Sequence, residues 1–256
     1  MNALFPSELS EIIRPQCESI LSIYPFEKYL RAALDPAFWG ALARGVMPSI
    51  EHISVIRGLR PRTLIDVGAN KGQFSVVARR LFPDISIHAF EPIATERTKL
   101  SSVVKSDGLT IYPVAVGRCA ETRAFYVTSR PDSSSLLKPA SKQKEAFNIS
   151  LVSVDSIEVV RLADVIKLRE LQHPVLLKID IQGGELDALV GVGDEIRHID
   201  FIYCEVSFVE LYEGQPLARD VISYLQAHGF SIDGFFNQAA TKRFGPTQAD
   251  VLFRRG

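Results

Sequence analysis

Acidic residues lie at the ends of short apolar runs in the sequence. Asp66 lies near the end of "TLIDVG", Glu91 ends "ISIHAFE", and Asp180 follows "PVLLKI". Glu205 lies within a further run, "DFIYCEVS". At the carboxyl ends of neighbouring strands, carboxylates can accept hydrogens from ligand hydroxyls, balance a cation or remove a proton. The sequence therefore predicts a polar ligand site built from strand ends.

A turn with two glycines follows Asp66 in "DVGANKGQF", just before a helix-like stretch. Glycine lets the backbone turn tightly and approach a ligand, and the free N–H groups at the start of a helix favour an electronegative partner. The spacing is neither the GxGxxG dinucleotide pattern nor the GxxxxGK[ST] phosphate loop. A nicotinamide oxidoreductase and a nucleoside triphosphate are therefore disfavoured.

Glu91 lies nineteen positions after Gly72, at the end of the second apolar run. An acid at this place in an α/β sheet can accept both hydroxyls of a ribose. Taken singly, the glycine turn can serve packing alone, and Glu91 can be a solvated acid. Together they predict a cofactor that contains adenosine.

Lys178 and Asp180 are separated by one residue, so a strand would place both on the same face of the sheet. Charges within a parallel strand are costly unless they are paired. One interpretation is a structural ion pair. The other places Asp180 at the reaction centre, with Glu205 on the adjacent strand.

From residue 63 onward, apolar runs alternate with helix-like stretches. Strands are predicted for "TLIDVG", "ISIHAFE", "LTIYPVAVG", "PVLLKIDIQG" and "DFIYCEVS", and helices for "GQFSVVARRLF", "ATERTKLSSVVKS", "GELDALVGV" and "PLARDVISYLQAHG". This alternation is typical of an α/β fold, a parallel sheet with helices on both faces. "FSIDGFFN" and "ADVLFRR" have no helix between them, so we expect an antiparallel hairpin.

Residues 1–60 are predicted to form a helical N-terminal extension, and residues 61–256 the main domain. An insertion at about 118–160 contains two predicted strands, "ETRAFYVTS" and "ISLVSVDSIEVVR". The polar stretch between them, "RPDSSSLLKPASKQKEAFN", reads as one long loop. Such a loop is either a lid or binding loop, or a mobile surface loop.

The composition argues against several classes of protein. Lys and Arg number 29 against 30 Asp and Glu, a balance that gives no general attraction to nucleic acid or acidic membranes. The three cysteines and five histidines are scattered, so neither a disulfide framework nor a metal centre is predicted. No run approaches the ~18 apolar residues of a membrane span, and no secretory signal is visible. We therefore expect a cytoplasmic protein.

Several segments, taken in order, resemble the motif series of the FkbM-type methyltransferases. They are "DVGANKGQFS", "AFEP", "PVAVG", "LLKIDIQGGELDALVG", "YCEVSFVELYEGQP" and "ADVLFRR", and they cover roughly residues 63–255. The resemblance implies a class I methyltransferase fold, with a Rossmann-like seven-stranded sheet that has one antiparallel strand. It also implies S-adenosylmethionine as the cofactor and O-methylation of a sugar, glycan or natural-product small molecule.

The same resemblance implies roles for individual residues. The methionine part of the cofactor would lie on the glycine turn, the ribose on Glu91, and the adenine beside Ala115 and Val116. The predicted cofactor-binding set is Asp66, Gly68, Ala69, Asn70, Gly72, Gln73, Phe74, Glu91, Pro92, Ala115 and Val116. Many relatives have Glu where this chain has Gln182, so we assign residue 182 no role that depends on charge.

Methyl transfer to a hydroxyl needs alignment of donor and acceptor and removal of a proton. Asp180 is the first candidate for the base, while Glu205 is either a second candidate or orients the acceptor. Lys178 either tunes Asp180 or neutralises it. A divalent cation on the two acids is conceivable, but the sequence shows no fuller ligand set, and we predict no metal.

For the acceptor, Ser134 and Ser135 in the polar stretch are predicted contacts. Tyr212 either stacks on a sugar face or packs at the entrance of a helix. Two other functions stay open on sequence grounds. One is a non-catalytic adaptor that kept the fold, and the other is RNA methylation, which the even charge balance disfavours.

Overall fold

The computed structural model describes residues 27–256, and predictions for residues 1–26 lie outside this range. The described chain before residue 60 is helical. Residues 27–33 form α1, followed by α2 (Trp39–Leu42) and α3 (Ile53–Leu59), with 3₁₀ helices at Pro36–Phe38 and Ile50–His52. Asp35 caps the first 3₁₀ helix, because its carboxylate accepts a hydrogen bond from the Ala37 N–H.

Ten strands follow in the described chain. They are β1 (Thr63–Val67), β2 (Ser86–Phe90), β3 (Leu109–Tyr112), β4 (Ala115–Val116), β5 (Glu121–Thr128), β6 (Leu151–Val160), β7 (Val175–Ile179), β8 (Phe201–Ser207), β9 (Phe230–Thr241) and β10 (Gly245–Arg255). Seven of them form one sheet in the order β3-β2-β1-β7-β8-β10-β9. β10 runs antiparallel to both neighbours, and the other pairs are parallel. The predicted α/β sheet, its single antiparallel strand and the closing hairpin are confirmed.

Helices join these strands and cover both faces of the sheet. They are α4 (Gln73–Leu81), α5 (Ala94–Val103), α6 (Ser141–Phe147), α7 (Leu162–Val165), α8 (Glu185–Val192) and α9 (Ala218–Ala227). Every residue of β1 and β7 is buried, and their alternate side chains enter two different cores. Leu64 packs on the α4 side, whereas Ile65 packs on the side of α8 and α9. Each such buried side chain contributes roughly 1.5–3 kcal/mol.

The segment "LTIYPVAVG" is not one strand, as predicted, but two. It divides at Pro113 into β3, at the edge of the large sheet, and β4, in a three-stranded sheet of order β4-β6-β5. Proline has no N–H to donate to a strand neighbour, so pairing cannot continue through it. The polar stretch between β5 and β6 also differs from the predicted continuous loop. It contains a 3₁₀ helix, Pro131–Ser133, and α6.

Candidate active site

The turn between β1 and α4 packs directly against the end of β7. Gly68 and Gly72 have positive φ angles of 78° and 85°, and Asn70 has a φ of 47°. A Cβ atom on Gly68 would lie 1.9 Å from the backbone oxygen of Asp180. Gly68 is therefore required both by its conformation and by the close approach of two chain segments.

Glu91 follows β2 and holds this turn in place. One carboxylate oxygen accepts a hydrogen bond from the Asn70 N–H at 2.9 Å, and the other accepts one from the Ile93 N–H at 2.8 Å. Burial raises the pKa of Glu91 to about 7, and the nearby Glu96 adds to the increase, while these N–H donors and Lys178 oppose it. Each oxygen has a second lone pair, so the carboxylate can still accept ligand hydroxyls.

An open cleft lies along the carboxyl ends of β1, β2 and β7. This edge of the sheet is where open α/β proteins bind their ligands. The predicted cofactor residues that line it are Gly68, Ala69, Asn70, Gln73, Phe74, Glu91, Pro92, Ala115 and Val116. Asp66 and Gly72 do not line the cleft. Asp66 is buried beside Ser75 of α4, and Gly72 is the N-cap residue of that helix.

Lys178 binds the buried Asp66 and the turn together. Asp66 is fully buried, and it accepts a hydrogen bond from the Ser75 hydroxyl at 2.7 Å. The Lys178 Nζ lies 3.2 Å from the Asp66 carboxylate and donates to the Gly68 carbonyl at 2.9 Å. Burial alone would lower the pKa of Lys178, but Asp66 and Asp180 outweigh burial and raise this pKa. Lys178 is therefore a buried cation that ties β1 to β7.

Asp180 and Glu205 are linked by the side-chain amide of Gln182. The amide nitrogen donates to Asp180 at 2.8 Å and to Glu205 at 2.9 Å. Gln248 donates a further hydrogen bond to the same Glu205 oxygen at 2.8 Å. Burial, with Asp180, Asp250 and Glu185, raises the pKa of Glu205 well above its usual range. Asp180 is the more open of the two acids, with a side chain that is 40% exposed.

The segment between β5 and β6 closes over these acids. Ser134 lines the cleft, whereas Ser135 is buried and donates to the Gln182 carbonyl at 2.8 Å. Tyr212 is also buried, and its hydroxyl lies 2.8 Å from the Ser133 carbonyl and 3.0 Å from the Gln182 side-chain oxygen. In this arrangement Tyr212 is a buried packing residue, which was one of its two predicted roles. Neither face of its ring is open to a sugar, which was the other.

Sequence reasoning missed two contributors to the site. Gln182 was predicted to have no role that depends on charge. Its uncharged side-chain amide nevertheless joins Asp180 to Glu205 through two N–H groups. His52 lies in the helical segment and lines the cleft beside Phe74, with ring centroids 5.2 Å apart. Nothing in the local sequence indicates this place for His52, because its partners Tyr203 and Asn237 come more than 150 residues later.

Residues 27–256 contain no group of three or more His, Cys, Asp or Glu side chains placed to hold a metal ion. Within the same range, no helix combines the length and the apolar character that a membrane crossing requires.

The fold and the site together define a class of protein. A seven-stranded sheet of this order, with its one antiparallel strand, a glycine turn after β1 and an acid after β2, is the arrangement of class I methyltransferases that use S-adenosylmethionine. The residues fit this cofactor. The glycine turn leaves the backbone open to the cleft, and the Glu91 carboxylate retains acceptor capacity for a ribose.

Comparison with known proteins identifies the family. The methyltransferase FkbM domain matches residues 66–232, and the chain belongs to this family. Its cofactor is accordingly S-adenosylmethionine. The methyltransferase sdnD of Sordaria araneosa is 30% identical, over 66% of this chain and 73% of sdnD.

Two relatives have names that specify a reaction. The 31-O-demethyl-FK506 methyltransferase FkbM of Streptomyces tacrolimicus is 29% identical, over 68% of this chain and 75% of its own. The 2-O-methyltransferase NoeI of Sinorhizobium fredii is 26% identical, over 63% of this chain and 70% of its own. Among solved structures, the magnesium protoporphyrin IX methyltransferase of Synechocystis, with the cofactor bound, has a TM-score of 0.44 at 12% identity and covers 100% of both chains.

Proposed function

We propose that this protein methylates a hydroxyl group of a sugar, a glycan or a natural-product small molecule. The observation that carries the proposal is the position of Asp180. Its carboxylate lies where the cofactor cleft meets a second crevice, under the segment between β5 and β6. The names of two relatives, an O-methyltransferase of FK506 and a 2-O-methyltransferase, support a hydroxyl acceptor.

The cofactor supplies a methyl group on a positively charged sulfur when it is bound. Glu91 would hold its ribose, the turn from Gly68 to Asn70 its methionine part, and Ala115 with Val116 its adenine. Asp180 lines the same cleft and would then be available beside the reacting end of the cofactor. Correct alignment alone can lower the barrier by several kcal/mol.

Asp180 is the proposed general base, which takes the acceptor hydroxyl proton as the oxygen attacks. Glu205 accepts hydrogen bonds from Gln182 and Gln248 and lines the crevice next to Asp180, so its proposed role is to orient the acceptor. Lys178 keeps Asp66 neutralised and the turn fixed. Ser134 lines the cofactor cleft and Ser133 the crevice next to it, so both are proposed to border the acceptor, and Ser135 and Tyr212 support them indirectly.

The crevice next to Asp180 has the chemistry of a carbohydrate site. Its amides and acids can exchange hydrogen bonds with several hydroxyls, and an aromatic ring can pack on a sugar face. The residues that line it are Arg130, Asp132, Ser133, Gln143, Phe147, Ile149, Asp180, Gln182, Glu205 and Gln248.

The proposal is tested with methyl-labelled S-adenosylmethionine and three groups of acceptor: monosaccharides and glycans, hydroxylated polyketides, and tRNA. We expect label in the first or second group, with transfer lost in Asp180→Asn while cofactor affinity, measured by calorimetry, is kept. Asp155→Asn, on the exposed β6, is the matched control. Label in tRNA alone, or full activity of Asp180→Asn, would refute the proposed chemistry.

A further inference from the structure

His52 brings the N-terminal helical segment into contact with helix α4 and strand β8. It ends the 3₁₀ helix Ile50–His52, outside the part of the chain that the family model matches. Its ring packs on Phe74 of α4 and on Tyr203 of β8, and its side chain is 14% exposed. It lines both the cofactor cleft and the adjoining polar crevice.

The hydrogen bonds around His52 favour a proton on Nε2 of the ring. Nδ1 lies 3.1 Å from the Asn237 amide nitrogen and 3.1 Å from the Tyr203 hydroxyl, which also lies 3.3 Å from the Asp250 carboxylate. The Asn237 nitrogen is assigned by its 2.8 Å bond to Asp250, and an amide nitrogen only donates. With the second Asn237 hydrogen directed to Nδ1, this nitrogen accepts, and we assign the hydrogen of the neutral ring to Nε2.

Nε2–H lacks a hydrogen-bonding partner within the described chain. Its nearest charged neighbour is Glu51, at 3.8 Å, too far for a hydrogen bond. Both Glu51 oxygens lie 2.8 Å from the Lys28 ammonium group, so this acid is already neutralised. Nε2–H is thus a neutral donor without a partner in residues 27–256, on a residue that lines the cleft.

The position of His52 determines which part of the cofactor it can meet. Glu91 and Ala115 lie on the β2 side of the β1 turn, whereas His52 is held above β8 and β10 on the other side. If the cofactor binds with its ribose at Glu91 and its adenine at Ala115, both on the β2 side of the turn, its amino-acid end would lie on the opposite side of the turn, where His52 is. The acceptor for an N–H at that end is the carboxylate, which the start of α4 and the Lys178 charge also favour.

We infer that the Nε2–H of His52 binds the carboxylate at the amino-acid end of the cofactor, so that the N-terminal segment completes the donor site. This role rests on the cofactor placement proposed above. It also accounts for the polar network of Tyr203, Asn237 and Asp250, which orients the imidazole.

Two substitutions separate the two nitrogens of the ring. His52→Asn keeps an acceptor near the place of Nδ1 but has no group at Nε2, and His52→Gln can place an amide N–H near Nε2. We expect His52→Asn to weaken S-adenosylhomocysteine binding about ten-fold, and His52→Gln to weaken it by no more than about three-fold. Binding of 5′-methylthioadenosine, which lacks the amino-acid end, is expected to stay unchanged in both. Calorimetry measures all three proteins, with His228→Ala, an exposed histidine, as control.

Equal weakening of both ligands in His52→Asn, or unchanged S-adenosylhomocysteine affinity, would overturn the role of His52. A wild-type protein that binds neither ligand would instead overturn the donor cleft itself. A second readout uses the wild-type chain labelled with ¹⁵N-histidine. The Nε2–H signal of His52 is expected to move on addition of S-adenosylhomocysteine and to stay in place with 5′-methylthioadenosine, and the same movement with both would contradict the inference.

Discussion

At the scale of single residues, the buried Glu91 both holds the glycine turn and is proposed to bind the cofactor ribose. Its oxygens accept hydrogen bonds from the Asn70 and Ile93 N–H groups, and burial raises its pKa to about 7. This places its titration within the physiological range. Ribose hydroxyls donate hydrogen bonds, and such donors favour the ionised form of a carboxyl group.

Cofactor affinity is therefore expected to rise with pH. Ionisation of Glu91 increases between about pH 6 and about pH 8, so S-adenosylhomocysteine should bind up to about ten-fold more tightly at the higher pH, with release of protons. Calorimetry in buffers of different ionisation enthalpy measures both effects. Glu91→Gln should bind weakly and lose most of this pH dependence. An equally steep profile in that variant would remove Glu91 from the ribose site.

Gly68 gives a second prediction at this scale. Gly68→Ala combines a strained φ of 78° with a clash at 1.9 Å, and we expect a loss of roughly 2–4 kcal/mol in the free energy of unfolding. Gly45→Ala is the matched control, since Gly45 has a φ of 70° but no atom within 4 Å of the added Cβ. Its expected loss is about 1 kcal/mol. If urea unfolding gave the same loss of stability for Gly68→Ala and Gly45→Ala, the prediction would be wrong, because the clash with Asp180 would then be relieved at little cost in free energy.

At the scale of elements, the segment between β5 and β6 is fixed by contacts with the chain after β8. The Tyr212 hydroxyl accepts a hydrogen bond from Gln143 in α6, and its one hydrogen lies between the Ser133 carbonyl at 2.8 Å and the Gln182 side-chain oxygen at 3.0 Å. The Ala140 N–H donates to the Leu211 carbonyl, and the Glu213 N–H donates to the Lys138 carbonyl. This segment is thus a fixed wall of the crevice next to Asp180.

Tyr212→Phe is expected to weaken this wall. It leaves the buried Gln143 amide without an acceptor and removes the hydrogen that Tyr212 donates, which should cost about 1–3 kcal/mol in the free energy of unfolding. Methyl transfer should fall while cofactor affinity is retained, because Tyr212 does not line the cleft. The control is Tyr224→Phe. The Tyr224 side chain is partly exposed, and its hydroxyl makes one hydrogen bond, of 3.3 Å, to the Leu189 carbonyl. A Tyr212→Phe protein as stable and active as this control would contradict the prediction.

At the scale of the whole molecule, the site concentrates acids in a buried region. Burial raises the pKa of Glu91 and of Glu185 to about 7, and that of Asp250 to about 6. A carboxyl group whose pKa is higher in the folded state stabilises the fold at low pH and loses this contribution as pH rises through the folded pKa. His52 acts oppositely, since burial lowers its pKa to about 4, but its contribution changes below about pH 6.5.

Between about pH 6.5 and about pH 8 the pH dependence comes from these acids, so the cofactor-free protein should lose stability as pH rises. We expect the free energy of unfolding to fall by roughly 1–3 kcal/mol across this range. Urea unfolding at several pH values measures it. Glu185→Gln should reduce the slope, since its amide oxygen can still accept from the Gly183 N–H. A midpoint that rises with pH would contradict the titration of these buried acids.

Much of the fold was predictable because its signals are local. Fully buried parallel strands need continuous apolar runs, such as β1 and β7, and their alternation with helices predicts the parallel sheet. The split at Pro113 was missed although proline is visible in the sequence, since the choice between two sheets depends on which partner is nearby. The helical turns in the polar stretch were missed because Ser- and Lys-rich segments lack an apolar period.

The sequence by itself determined the order of elements, the glycine turn and the acids at the strand ends, since these depend on residue type and short spacing. Only the tertiary structure decided that Asp66 is buried beside Ser75, that Tyr212 is buried, and that Gln182 joins Asp180 to Glu205. Only the folded chain brings His52 to Tyr203 and Asn237. Contacts between residues distant along the chain are set by how elements pack, and no local pattern encodes them.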